Sequence, residues 1–477
     1  MKKILSLCVA ILMFVAILAM PQEASASPAL EKSVKSHLGT TNSSVTLRSA
    51  KTGKILYAHN GTVARQTASN MKLLTGAAAL DILGEEYRFH TNLYIDGKIV
   101  GEQLNGNVYL KGSGDPTLQY DNLQTIAREL RKQGIKKVNG HLYLDDTLFT
   151  GSTLPPGATK SEQTYYYAAR TSALNMSPND DFDAGTVIVQ VSGGAVGKVA
   201  NVKVLPHTSG QKIINNTRTG SKGSRTSISV LRKYNTNQII VSGTIAQGAT
   251  TKKWVTVQDP TIATGHAFKG ALKSAGVTFA NTSKLTRKAV PQNAKAVYTH
   301  SSRTLEAMFN TYMKLSNNGM ADIFIRSLAA NQRGSGSLAT GLSEMRKSLD
   351  TIGVSTTGAT LLDGSGLSSK NRVQSNAISK LLFEIQDEPT FDTFYKSLPV
   401  GGNSNRLIGG TLKNRFKGDY AGKVHAKTGY IDGVYSLSGY VETNSGNTLI
   451  FSILTEYRSS SAISGIDRVV KTIIDNY

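Results

Sequence analysis

The chain has 477 residues, 39% of them hydrophobic and 18% charged, with a formal net charge of +22. That length allows two or three domains, and the apolar content is enough for ordinary cores. The only cysteine is Cys8, so the chain beyond the first segment has no disulfide, no thiol nucleophile and no Cys-ligated metal; the eight histidines never fall at HxH or HxxxH spacing, so neither a zinc site nor any metal cofactor is expected.

Residues 1–26 open with Lys2 and Lys3, continue through an apolar run broken only by Ser6, and end on Pro21 and Ala24-Ser25-Ala26. A basic start, an apolar middle and a small-x-small site predict a secretory signal peptide, cleaved after Ala26. The run approaches membrane-spanning length, but no later stretch does, so the mature chain is expected to be exported and soluble. Removing two lysines and one glutamate with residues 1–26 leaves +21. Such a charge favours a polyanion. For an exported chain that means an anionic cell-wall polymer or a membrane surface rather than nucleic acid. The basic residues read as spread along the chain, with one dense stretch, "TRTGSKGSR".

After the signal, "SVTLRSAKTGKILYAHN" predicts a hairpin whose turn is Lys51-Thr52-Gly53. "ASNMKLLTGAAALDILG" predicts a helix, with Leu73, Ala77, Leu80 and Leu83 at helical spacing and Gly84 as its stop. Short alternating strands follow, interrupted by one helix, "NLQTIARELRKQG", with Asp121 as its N-cap. Helical texture returns in "TLEAMFNTYMKLSNNGMADIFIRSLAA" and "NAISKLLFEIQ". Three strands then end the sheet: "GKVHAKTGY", "GVYSLSGYVETNSG" and "NTLIFSILTEY". The last element is an amphipathic helix carrying Ile463, Ile466, Val470, Ile473 and Ile474. The expected organisation is one discontinuous α/β (α+β) domain from residues 27–90 and 292–477, an antiparallel sheet flanked by helices. Residues 91–291 are expected to form an inserted β-rich region of two subdomains.

A serine hydrolase needs a nucleophile, a base and N–H donors for the oxyanion, and the base need not be histidine. Ser-x-x-Lys at the start of a helix puts both side chains on one face, one turn apart, with the lysine leaning back toward the serine. The pattern occurs at Ser69/Lys72, which opens the apolar helix, and at Ser209/Lys212, in a Gly-containing turn. Helix context favours Ser69. Ser-x-Asn occurs at Ser177, Ser316, Ser369 and Ser445. Ser445 is a hairpin turn and Ser177 follows a loop of the insert, while the pattern leaves Ser316 and Ser369 both open. Lys427-Thr428-Gly429 lies on a strand with two more strands after it. There the lysine supplies positive charge for a carboxylate, the threonine a hydrogen bond, and the glycine room for a substrate backbone.

In the order Ser69/Lys72, Ser316/Asn318, Lys427/Thr428/Gly429, the chain resembles the β-lactamase and penicillin-binding protein superfamily. It is most similar to the class C low-molecular-mass penicillin-binding proteins, the D-alanyl-D-alanine carboxypeptidase/endopeptidase family. "LKGSGDPTL", "YYYAARTSALN", "LSNNGMADIF", "LLDGSGLSSKNRV", "SLPVGG" and "GGTLKNR" carry the resemblance in order over nearly the whole mature chain. "LSNNGMADIF" holds the family's second motif, which selects Ser316. Thr67 stands where the family often has proline.

The resemblance implies a serine penicillin-recognising fold and a peptidase of peptidoglycan stem peptides, with β-lactams as covalent inhibitors. It implies Ser69 as nucleophile, Lys72 as its base, Ser316 and Lys427 as the proton path to the leaving amine, and Asn318 on the substrate amide. Lys427 and Thr428 would hold the terminal carboxylate beside Gly429, and the N–H groups of Ser69 and Tyr430 would form the oxyanion hole. Residues 363–367 would shape the cleft floor. The rival readings are a β-lactamase, a non-enzymatic β-lactam- or wall-binding module, and a nucleic-acid binder. Against the first, the one Glu-x-x-x-Asn match, Glu306 to Asn310, precedes Ser316 instead of following it.

Overall fold

The computed structural model describes residues 27–206, 210–457 and 461–477; the expected signal segment and Ser209 lie outside the described residues. Among the described residues no helix is long and apolar enough to cross a membrane.

Both ends of the chain build one five-stranded antiparallel sheet, in the order Ile55–His59, Ser43–Ser49, Thr448–Thr455, Val434–Glu442, Val424–Ile431. The first two strands are the hairpin, whose turn uses Gly53 at φ 70°. The two pieces of chain join where Ser43–Ser49 pairs with Thr448–Thr455, placing Val45 opposite Ile453. Side chains alternate between the faces. Leu437, Phe451 and Ile453 pack on Leu30, Val34, Ile466 and Val470 from helices Pro28–Leu38 and Ser461–Asn476. Ile463 is 37% exposed and takes no part in that stripe, contrary to its reading from the sequence. Tyr440, Ile450 and Leu454 face a helical layer that includes Met71–Leu83, Leu305–Lys314, Asn318–Arg333 and Ser375–Glu384.

Helix Met71–Leu83 is more than an amphipathic stripe. Leu73, Leu74, Ala77, Ala78, Ala79 and Leu80 are all buried, because the helix runs through the middle of the layer. Gly84, at φ 79°, ends it with its N–H on the Leu80 carbonyl.

The middle of the chain holds two further cores, one nested in the other. The outer core uses a sheet ordered Leu285–Arg287, Leu142–Asp145, Val108–Gly112, His90–Ile95, Lys295–Ser301, with helices Tyr120–Lys132 and Pro260–Ser274 packed around Leu93, Leu110, Ile126 and Phe268. The nested core lies between two three-stranded sheets. Thr186–Ser192 sits between Asn201–Leu205 and Thr250–Thr256, and Gln238–Ala246 between Lys212–Gly220 and Ser227–Arg232.

Four features differ from the sequence reading. Strand Lys295–Ser301 pairs with His90–Ile95, so the middle sheet extends past residue 291 into the stretch assigned to the C-terminal piece. Residues of Pro260–Ser274 are helical, with Asp259 accepting from the Ile262 N–H and Pro260 in the first turn. Their many small residues give no clear stripe. Helix Tyr120–Lys132 is capped not by Asp121 but by Gln119 and Asn122, each side chain meeting the other's backbone N–H. Finally, the acidic residues are unevenly placed although the basic ones are spread: residues 184–258, which span the nested core, contain ten Lys or Arg and no Asp or Glu.

Candidate active site

Ala68, Ser69 and Asn70 form a single tight turn that runs into Met71–Leu83. Ala68 is left-handed at φ 43°, an uncommon conformation for a residue with a Cβ. Neighbours hold it there. Gly366, at φ 81°, approaches so closely that a Cβ would lie 1.8 Å from the Ala68 carbonyl oxygen. Ser436 Oγ donates to the Thr67 carbonyl at 2.7 Å. Asn70, oriented to match its neighbours, donates to the Lys427 carbonyl (2.8 Å) and accepts from Ser438 Oγ (2.7 Å). Asn70 thereby ties the nucleophile turn to strand Val424–Ile431, and Ser69 is left half-exposed at the turn's edge.

Lys72 is fully buried, and its Nζ lies 3.0 Å from Ser69 Oγ, 2.7 Å from Asn318 Oδ1 and 2.6 Å from the Ser365 carbonyl oxygen. The last two are pure acceptors. A neutral amine has two N–H groups and one lone pair, so the two acceptors take the protons and the lone pair faces the Ser69 hydroxyl. Burial pushes the Lys72 ammonium down to about 7, against the smaller upward pull of Asp363 and Asp322. Both carboxyls are buried, and burial raises each of them. Asp363 organises the floor behind the amine, accepting from the Gly366 N–H (2.6 Å), the Ser368 N–H (2.7 Å) and Asn371 Nδ2 (2.9 Å).

Ser316 occupies the bend between Leu305–Lys314 and Asn318–Arg333 at φ 59°. Lys427 Nζ donates to Ser316 Oγ at 2.8 Å and to the Thr428 carbonyl at 2.7 Å. Burial, and secondarily Lys72, hold the Lys427 ammonium well below its ordinary range. An arriving carboxylate would restore its charge. The helix cap is Asn317, which accepts from the Met320 N–H at 2.9 Å, so Asn318 is released from capping. Asn318 Oδ1 holds Lys72, and its Nδ2 donates to the Tyr167 carbonyl at 2.9 Å, leaving one amide N–H open.

On the strand, Thr428 Oγ1 donates to Thr411 Oγ1 at 2.7 Å, Gly429 is buried against the Ser69 turn, and Tyr430 is 64% exposed on the rim. The structure thus gathers Ser69, Lys72 and Asn318 into one hydrogen-bonded group and Ser316 and Lys427 into a second, with the Lys72 charge felt at Lys427 and with Thr428, Gly429 and Tyr430 alongside. The remaining pattern matches lie elsewhere. Ser177 Oγ donates to the Pro116 carbonyl, Ser445 Oγ to that of Tyr477, and Lys51 is an exposed turn residue. Glu306 is exposed, and Asn310 Nδ2 donates to the Leu407 carbonyl. Among the described residues no cluster of three His, Cys, Asp or Glu could hold a metal ion.

Sequence reasoning missed Asn70, Tyr167, Asn317, Asp322 and the Ser365 carbonyl. Asn70 fills a variable slot of Ser-x-x-Lys, and the others act through backbone atoms or buried contacts that leave no pattern. Only the triple tyrosine at 165–167 was a visible signal.

Comparison with known proteins adds to this geometry. The model of the D-Ala-D-Ala carboxypeptidase 3 (S13) family matches residues 28–474. A D-alanyl-D-alanine carboxypeptidase of an Actinomadura strain is 35% identical over 455 residues, covering 94% of this chain and 82% of that one. The D-alanyl-D-alanine carboxypeptidase DacB of Haemophilus influenzae is 26% identical over 419 residues, covering 83% and 82%. The crystal structure of penicillin binding protein 4 from Haemophilus influenzae shares the fold, with a TM-score of 0.78 at 23% identity over 93% of this chain and 98% of that one.

Proposed function

The chain belongs to the D-Ala-D-Ala carboxypeptidase 3 (S13) family and is a serine D-Ala-D-Ala carboxypeptidase, and from that premise we propose that Ser69 is its nucleophile and Lys72 its general base. Ser69 Oγ attacks the carbonyl between the two terminal D-alanines of a peptidoglycan stem peptide as its proton passes to Lys72 Nζ. The N–H groups of Ser69 and Tyr430 take the developing oxyanion. The C–N bond breaks, and the leaving amine collects a proton from Ser316, which Lys427 resupplies. Lys427 and Thr428 hold the terminal carboxylate, and the open N–H of Asn318 meets the substrate amide. Water then hydrolyses the ester and regenerates Ser69. β-Lactams acylate Ser69 by the same attack and leave slowly.

The observation that carries this reading is the buried Lys72 amine 3.0 Å from Ser69 Oγ, its protons turned to Asn318 and Ser365. The test is incubation of the mature chain with a pentapeptide muropeptide, with mass spectrometry for D-alanine loss, beside Ser69→Ala. Benzylpenicillin adduct mapping accompanies it. An adduct on another residue, or D-alanine release by Ser69→Ala, overturns the assignment. Rapid penicillin turnover would make the chain a β-lactamase.

The substrate lies outside the cytoplasm, and residues 1–26 are the proposed export signal. The proposed second partner is an anionic wall polymer. Support comes from the acid-free stretch 184–258, where Lys203, Lys212, Arg218, Lys252 and Lys253 are all exposed.

A further inference from the structure

A cavity of about 790 Å³ is lined by none of Ser69, Lys72, Ser316, Asn318 and Lys427, and the mechanism above makes no use of it. Its walls come from residues 150–156, helix Asn318–Arg333, the first turns of helix Leu338–Thr351, and Leu361-Leu362. Leu154, Leu338, Leu342, Leu361 and Leu362 give it an apolar body.

Two guanidinium groups and a helix start make the same cavity positive. Arg326 is 3% exposed. Its Nη1 donates to the Thr150 carbonyl at 2.8 Å and its Nη2 to that of Ser152, while its Nε has no hydrogen-bond partner. Arg346 donates to Thr356 Oγ1 at 2.9 Å and to the Ala359 carbonyl at 3.0 Å. All these partners are neutral, and neither arginine forms an ion pair among the described residues. The carboxyl that acts on Arg326 is Asp322, one turn earlier, and burial raises it to about 7, so it compensates the charge only in part. No acidic residue lines the cavity. Ser337 caps helix Leu338–Thr351 by accepting from the Thr340 N–H at 3.1 Å, which leaves the N–H groups of Leu338 and Ala339 without partners inside the helix. Gly336 brings that helix start against the Arg326 backbone: a Cβ there would lie 1.9 Å from the Arg326 carbonyl oxygen. A buried guanidinium with an unused N–H and no ion pair is costly, and an arriving anion offsets that cost.

We infer that this cavity binds an aliphatic phosphate monoester, and that the bound ligand tightens the hold on Lys72. The phosphate meets Arg326 and the helix start, Arg346 adds a second positive charge, and the hydrocarbon lies among the leucines. A phosphate monoester carries about two negative charges at neutral pH, which matches two unpaired guanidinium groups; a carboxylate carries one. The link to Lys72 runs through two walls. Helix Asn318–Arg333 begins with Asn318, and Leu361-Leu362 lead directly into residues 363–365. Asn318 Oδ1 and the Ser365 carbonyl are the two acceptors of the Lys72 amine. A ligand that bridges the walls fixes these acceptors relative to each other. The coupling rests on the Lys72 reading above; the binding site does not.

The experiment titrates the mature chain with octyl phosphate by calorimetry, beside inorganic phosphate and octanol. Octyl phosphate should bind once per chain, and the other two about tenfold or more weakly. Ala339 is exposed at the helix start. Ala339→Glu places an acid where the helix dipole favours it, so the variant should fold, yet it should weaken octyl phosphate about tenfold or more. The neutral Ala339→Gln should bind as the wild type does, and Arg346→Gln about tenfold more weakly. Saturating octyl phosphate should raise the rate of acylation by benzylpenicillin about fivefold in the wild type and leave Ala339→Glu unchanged. Octanol or inorganic phosphate binding as tightly as octyl phosphate, undiminished binding by Ala339→Glu, or equal weakening by Ala339→Gln would each overturn the site. Binding without faster acylation would overturn the coupling. A chain that binds octyl phosphate but is never acylated at Ser69 would overturn the Ser69 reading and leave the site standing.

Discussion

A Cβ on Gly429 would sit 2.9 Å from the backbone nitrogen of Ser69 and 2.2 Å from Ser436 Oγ. The strand edge and the nucleophile turn are therefore in backbone contact, and the separation on which an oxyanion hole depends is set by the missing side chain. Gly429→Ala should push the two apart. We expect a loss of about 1–3 kcal/mol in stability from overpacking and a fall of about 10²-fold in the acylation rate by benzylpenicillin. Urea denaturation and stopped-flow acylation check it; an unchanged acylation rate would remove Gly429 from the site.

Lys72 works as a base only when neutral. Its folded value of about 7 predicts that kcat/KM for acylation rises with pH through a midpoint near 7. Lys72→Arg stays protonated, so the limb should vanish and acylation fall by about 10²–10⁴-fold. A limb centred near 10.5, the ordinary lysine value, would contradict it. The same depression has a stability consequence. Between about 7 and 10.5 the unfolded chain binds a proton that the folded chain does not, so this group's contribution rises with pH across that window and is lost as pH falls through 7.

Ser316 combines a left-handed backbone at φ 59° with the hydroxyl that meets Lys427. Ser316→Gly relieves the first and removes the second. Stability should hold or rise by up to about 1 kcal/mol, while kcat on the pentapeptide falls by about 10²-fold. Thermal melts beside steady-state kinetics test the split, and a parallel loss of both would mean the serine is structural.

Asn70→Ala should cost about 1–3 kcal/mol, since it removes the buried amide's hydrogen bonds to the Lys427 carbonyl and the Ser438 hydroxyl. Because these contacts join the nucleophile turn to the strand, acylation should slow as well. Chemical denaturation and penicillin labelling at matched folded fractions would separate the two effects; normal labelling of the folded fraction would limit Asn70 to stability.

Replacing Lys203, Lys212, Lys252 and Lys253 by glutamate should weaken retention on isolated cell walls carrying phosphate polymer, without altering hydrolysis of soluble pentapeptide. Wild-type retention should itself disappear near 1 M salt, where the screening length is about 3 Å. Cosedimentation over a salt series measures both. Equal retention of the two proteins would rule out the acid-free stretch as the docking surface.

What could be read along the chain was local in origin. Ser69 and Lys72 share a helix face because of the turn spacing. The hairpin turn occupied the Lys51 copy of Lys-Thr-Gly, and residues 434–455 read as the two strands they form. The acid-free stretch went unnoticed because a nested unit has no mark in composition taken over the whole chain. Helix Pro260–Ser274 escaped notice because small residues bury without a stripe.

By itself, the sequence determined the order of the motifs, their likeness to one family and the pairing of a hydroxyl with an amine one helical turn apart. Tertiary structure alone decided that the amine is buried enough to give up its proton and that the Ser316 hydroxyl meets Lys427. Helical spacing comes from bonds between near neighbours. Burial and encounter depend on which distant segments share a core, and that is a property of the whole folded chain.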